Sequence, residues 1–190
     1  MGQILSRIVA AILLSGLVGG LLTALLTAFG DRQAKYEGRL TANPFAHVTL
    51  SGIFLAIAFQ ATWFLRVPVT FKERSLKPLA AVLVVLSIML ALVPVLDLFR
   101  PYLHAGLPRT LGYMALNEID ELQVMLVNSA TIGILPIPGM LMGMAMPAIL
   151  PSLEKRYRKW VGFGFSGVAV IMILGWFPNL KPLVEALRLI

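Results

Sequence analysis

Imidazoles, carboxylates and thiols are the groups most able to do chemistry, and this chain offers few. Its 190 residues hold two His (His47 and His104), nine Asp and Glu together, and no Cys. Without Cys, disulfides, thiolate nucleophiles and soft-metal sites are all removed. No His-Glu-x-x-His occurs, and two distant His with no third donor make a poor metal site, so neither a metal nor another cofactor is expected. The densest acidic run is Asn117-Glu118-Ile119-Asp120-Glu121. It reads as a helix N-cap with acids in the first turn, where they complement the helix dipole, and less well as a metal or general-base cluster. Met140, Met142, Met144 and Met146 recur every second residue. On a helix that spacing spreads them around the axis, which suits flexible packing better than copper binding.

Two further patterns concern contact rather than catalysis. Gly16 and Gly20, and again Gly139 and Gly143, stand at GxxxG spacing. Small residues let a second helix backbone approach closely, either within this chain or in a partner. The stretch Glu154 to Trp160 reads EKRYRKW. Lys155, Arg156, Arg158, Lys159 and Trp160 suit anionic lipid headgroups, at about 1 kcal/mol per basic residue, and equally an ordinary solvated loop.

The elements that carry these residues follow from composition. Apolar residues make up 58% of the chain and charged ones 13%, with a mean hydropathy of +0.87. That balance predicts an all-α integral membrane protein with one polytopic domain over residues 1–190. About five transmembrane helices are expected, near residues 8–29, 48–65, 78–96, 122–150 and 161–177, the fourth broken at Leu-Pro-Ile-Pro. The first apolar run is too long for a cleaved signal and is expected to stay as an anchor. MGQILS fits the myristoylation pattern, though the motif is short. The second helix ends in Trp63 and Arg66, an interfacial anchor, and Gln60 inside it calls for a hydrogen-bond partner on another helix. Between the first two helices, Lys35, Glu37 and Arg39 alternate with Tyr36 and Leu40, predicting a short extended segment at the membrane edge.

The net charge of +7 sits in short loops and speaks against nucleic acid as a partner. With five crossings, Arg7, Arg66, Lys72, Arg74, Lys77 and the four bases of EKRYRKW share one side. Arg32, Lys35, Arg39, Arg100, Arg109, Lys181 and Arg188 share the other. Nine bases against seven place the N-terminus in the cytoplasm, by a narrow margin.

One long stretch carries a resemblance. After Gly30-Asp31 the chain holds Ala34, Lys35, Gly38, Arg39, Leu40, Thr41, Asn43, Pro44, His47 and Gly52 in ungapped register. This resembles the segment A-K-x-x-G-R-L-T-L-N-P-x-x-H-I-D-x-x-G of the compact bacterial branch of the site-2 protease family, intramembrane zinc metalloproteases. Thr62 to Val69 is similar to that family's F-G-W-A-x-P-V-P-V, and Gly133 to Met142 to its N-L-L-P-I-P-P-L-D-G. In the family, HExxH precedes the Gly-Asp turn. Its two His, its Glu and the later Asp correspond here to Val18, Leu22, Gly19 and Leu141. An active member holds zinc with the His pair and the Asp, and uses the Glu as general base. None of those side chains is present, so the resemblance implies a non-catalytic member, a pseudoprotease.

Two functions follow as expectations. The first is an accessory or scaffold subunit of a larger membrane complex, with respiratory and photosynthetic assemblies as candidates, in the bacterial inner membrane among other integral membrane proteins and lipids. The second is a pseudoprotease that binds transmembrane clients or lipids without cleaving them. Arg39, Thr41, Asn43 and Pro44 would then form a client-binding strand, since edge strands recruit extended peptides. A small transporter has less support, with Gln60 the conspicuous polar residue at depth.

Overall fold

The computed structural model describes residues 2–41, 43–64, 67 and 75–189. Over these residues the chain is all-helical. In order, α1 is Gly2–Ala28, α2 Gln33–Tyr36, α3 Leu50–Phe59, α4 Lys77–Gly106, α5 Arg109–Ile134, α6 Leu141–Ile149, α7 Glu154–Ile173 and α8 Lys181–Leu187, with single 3-10 turns at Pro44–Ala46 and Pro151–Leu153. Two of these helices, α1 and α4, are long and apolar enough to cross a bilayer. Five such helices were expected, and the differences have local causes.

The longest helix, α4, runs through Pro94 and Pro101 and ends where Leu107 turns extended before Pro108. Pro108 then starts α5 at Arg109, so Asn117 lies inside a helix and not at its cap. The acidic run around it therefore faces neighbouring helices instead of complementing a helix end. The break in the fourth expected span is present. Pro136 and Pro138 lack donors, Gly139 takes φ +98°, and the helix resumes as α6. Charged residues 154–159, expected as a loop, form the first turns of α7.

The second expected span shrinks to the ten residues of α3. Thr49 caps its start by accepting from the Gly52 amide at 2.9 Å. Gln60 ends it in the left-handed region at φ 51°, and residues 61–64 leave as irregular backbone. Arg66, expected as an anchor with Trp63, lies outside the described residues. The predicted extended segment is also corrected. Gln33–Tyr36 is a helical turn, Gly38 reverses direction at φ +72°, and no strand forms among the described residues. A period of two over six residues was too short a signal against that reversal.

The helices share two ends. At one, Arg7 of α1, Gln60 after α3 and Glu121 of α5 meet, beside Asp97 and Arg100 of α4 and Arg188 after α8. At the other, Lys77 Nζ donates to the Phe29 carbonyl at 3.2 Å, and the Ser75 amide donates to the Ala148 carbonyl of α6 at 2.9 Å. The chain thus leaves α1 and enters α4 at the same end.

The main apolar core runs between α1, α4, α5 and α6, and includes Leu14, Val18, Leu22, Val85, Met89, Met125 and Leu141. A second cluster joins α3, α5 and α7 through Leu55, Trp63, Ile132, Met140 and Val168. Trp63 stacks on Phe165 with ring centres 4.6 Å apart. Of the alternating methionines, Met140 and Met144 are buried.

Candidate functional site

Residues 41 and 43–47 lie against the middle of α1. They sit there because α1 presents glycine. A Cβ on Gly16 would lie 2.6 Å from Pro44 Cβ, and one on Gly19 would lie 2.5 Å from both Cγ and Nδ1 of His47. Gly20 faces the Thr41 carbonyl, 3.6 Å from where its Cβ would be. The Gly16/Gly20 groove is thus occupied by this chain's own Asn-Pro turn. Asn43 builds that turn, its Oδ1 accepting from the Phe45 amide at 3.0 Å, while Thr41 Oγ1 accepts from the Asn43 amide at 3.1 Å. Of the four residues expected to form a client-binding strand, Thr41, Asn43 and Pro44 make this turn, and Arg39 pairs with Glu37 at 3.2 Å.

His47 fills the space above Gly19 and is 1% exposed. Its Nε2 is 3.5 Å from the Thr41 carbonyl, at the outer limit of a hydrogen bond. Its Nδ1 is buried without a partner, as is Thr23 Oγ1 one helical turn below Gly19. Burial pushes the imidazole pKa below the usual 6.5, the Thr41 carbonyl opposes this, and the Arg39 charge adds to it. Burial therefore favours the neutral ring. A side chain at position 19 and the imidazole cannot share this space.

The three positions that the resemblance assigns to zinc ligands hold Val18, Leu22 and Leu141, each at most 2% exposed and part of the main core. Beside Leu141, the void bounded by Thr62, Ser129, Gly133 and Met144 is about 10 Å³. One water needs at least that volume and several polar partners besides. Ser129 Oγ already accepts from the Thr62 amide at 2.9 Å. Among the described residues, no three His, Asp or Glu converge on a metal-sized site. His104 stands apart, in a cleft of about 380 Å³ with Arg109 and Tyr113 where α4 meets α5.

Around the Pro-Ile-Pro break, close approach again depends on glycine. A Cβ on Gly143 would lie 1.9 Å from the Ile137 carbonyl oxygen, and one on Gly139 2.9 Å from the Phe165 ring. Gly139 and Gly143 thus face contacts inside this chain. Tyr157 donates to the Pro136 carbonyl at 2.8 Å and ties α7 to the break. Lys155, Arg156, Arg158, Lys159 and Trp160 project outward from α7. Arg156, Tyr157, Trp160 and Pro138 line an open groove of about 410 Å³ there.

The acidic run of α5 serves two polar joints. On one side Glu121 accepts from Gln60 Nε2 at 2.8 Å and pairs with Arg7 at 3.4 Å, while Ser6 donates to Glu118. Gln60 thereby finds the inter-helix partner its position called for. On the other side Asp97, fully buried, accepts from Arg100 Nε at 2.7 Å, Gln123 Nε2 at 2.8 Å and the Leu189 amide at 2.7 Å. Asp120 accepts from Arg100 and Arg188 at 2.6 and 2.7 Å. Sequence reasoning passed over Asp97, although a lone Asp in an aliphatic run, with Arg100 three residues on, is a signal for a buried ion pair.

No family model matches the chain, nor does any curated protein or solved structure.

Proposed function

We propose that this is an integral membrane protein related to the site-2 proteases, without protease chemistry, that serves as an accessory or scaffold subunit of a larger membrane complex. The observation that carries the non-catalytic reading is the Gly19–His47 fit. At the position that the resemblance assigns to a general base stands Gly19, covered by the His47 ring, and the positions it assigns to zinc ligands are aliphatic and buried. Such a seam suits a scaffold, because polar metal ligands inside a bilayer are costly unless mutually satisfied.

The membrane reading is supported by where the apolar surface lies. In their most apolar stretches, 44% of α1 and 33% of α4 is buried, and the remainder is half-buried or exposed. The core helix of a water-soluble protein is instead mostly buried. Leu13, Leu17, Leu83 and Val84 are among the outward side chains. Buried Asp97 and Glu121 are paired in the two joints between helices.

The test is the mass and composition of the particle released from native membranes by mild detergent. A stoichiometric set of partner proteins is the expected result. A lone 20.7 kDa species carrying lipid alone overturns the subunit reading. It would favour the alternative, a pseudoprotease that binds transmembrane clients or lipids. One observation favours that alternative: an open groove of about 420 Å³ between α1 and residues 40–41, floored by Gly20, Leu21 and Ala24. Crosslinks from Leu40 to a client segment would then be expected.

A further inference from the structure

Among the described residues, charge is distributed very unevenly between the two ends of the bundle, because α4 begins at the end where α1 stops. Because Lys77 reaches the Phe29 carbonyl, the chain returns to the end it left, and Arg32, Lys35 and Arg39 join the same end as Lys77 and the four bases of α7. Among the described residues, eight bases stand there against three acids, Asp31, Glu37 and Glu154. The opposite end has five bases against five acids, and its Arg7, Arg100 and Arg188 are engaged in ion pairs. A tally of nine against seven arises only if the chain stays at the far end after α3; Gln60 reaches Glu121 there, but Ser75 and Lys77 are back beside Ala148 and Phe29.

Resting on the membrane reading above, we propose that the basic end lies against the anionic headgroups of the cytoplasmic leaflet, where Lys and Arg are both attracted and retained. The chain then crosses four times: through α1 and α4, which qualify by length and composition, and through the α5–α6 pair and α7, assigned because they run between the same two ends. Asp31 and Ser75 both lie on the cytoplasmic face. Both the start of α1 and α8 lie on the far side, which reverses the orientation expected from the sequence. The α5–α6 pair qualifies because it begins beside Arg100 and ends at Ala148, next to Ser75. α7 returns from the basic end towards α8, whose neighbour Arg188 pairs with Asp120.

The absence of Cys makes the test direct, since each introduced thiol is the only one in the chain. Full-length Arg32→Cys, Leu76→Cys, Lys159→Cys and Arg109→Cys, all at exposed positions, are expressed in a bacterial cytoplasmic membrane and probed with an impermeant maleimide. Arg109→Cys is expected to label in intact spheroplasts. The other three are expected to label only after lysis, and all four to stay in the membrane through carbonate washing. Labelling of Arg32→Cys from outside while Leu76→Cys stays protected would mean that α3 crosses, and would overturn the four-crossing path. Protection of Arg109→Cys with labelling of Lys159→Cys would overturn the orientation alone. Labelling of all four before lysis, in protein still retained, overturns both. Release of the wild-type chain by carbonate removes the membrane reading itself.

Discussion

A single missing side chain organises the centre of this protein. Gly19 has no Cβ, and the space is taken by the His47 ring. Gly19→Ala is therefore expected to destabilise the fold by about 1–3 kcal/mol, the usual cost of overpacking a filled core. If the clash with His47 is the cause, the double variant Gly19→Ala/His47→Ala should recover much of the loss that the two single changes add up to. Thermal unfolding in detergent measures this coupling. The same contact makes stability depend on pH. Because the folded-state pKa of His47 is lowered from 6.5, its contribution is intact above that value. It is lost as the pH falls towards the folded pKa, where protonation favours the unfolded chain. His47→Gln should flatten the acid side of the melting-temperature profile, and an unchanged profile would remove His47 as the cause. The sequence showed a glycine at position 19, but not that a histidine from another segment packs against it.

Between elements, α5 is the common partner. Its residues 118–123 present acids and an amide to α1 and α3 on one face and to α4 and the α8 segment on the other. Within one sequence run, side chains three and four apart share a face, and those one apart do not. Read as a cap, the run has one purpose; read as a helix interior, it is two joints. Arg100 binds the second joint by contacting Asp97, Asp120 and Gln123 together. Arg100→Ala leaves the buried Asp97 without its cation. The expected cost is about 3 kcal/mol, at the low end for a broken buried pair, because Gln123 and the Leu189 amide still hold the carboxylate. Arg100→Lys should restore less than half, since a point ammonium cannot reproduce the guanidinium fork. Melting temperatures of the three proteins at one pH and salt concentration decide this. The helix break at Pro136 and Pro138 was readable in advance because proline acts on its own backbone. The start of α5 was not, because Pro108 and a plausible cap at Asn117 competed for it.

At the scale of the whole molecule, composition alone determined that the chain is helical, strongly apolar and poor in groups able to hold a metal. Those properties belong to residues one at a time, so they survive any arrangement of the helices. The break before α6 and the short reach of α3 are nearly as local, set by prolines and by Gln60 in its left-handed conformation. Tertiary structure decided what depends on pairs distant in sequence: that Gly16 and Gly19 receive Pro44 and His47, that Gln60 meets Glu121, and that Asp97 holds the backbone near the C-terminus. It also decided which bases share an end. Periodicity records which face of a helix is apolar but not whether the intervening chain crosses or turns back. In this protein the chain passes along α1 at Pro44 and His47 to Gln60 beside Glu121, yet at Ser75 and Lys77 it is back at the end it left.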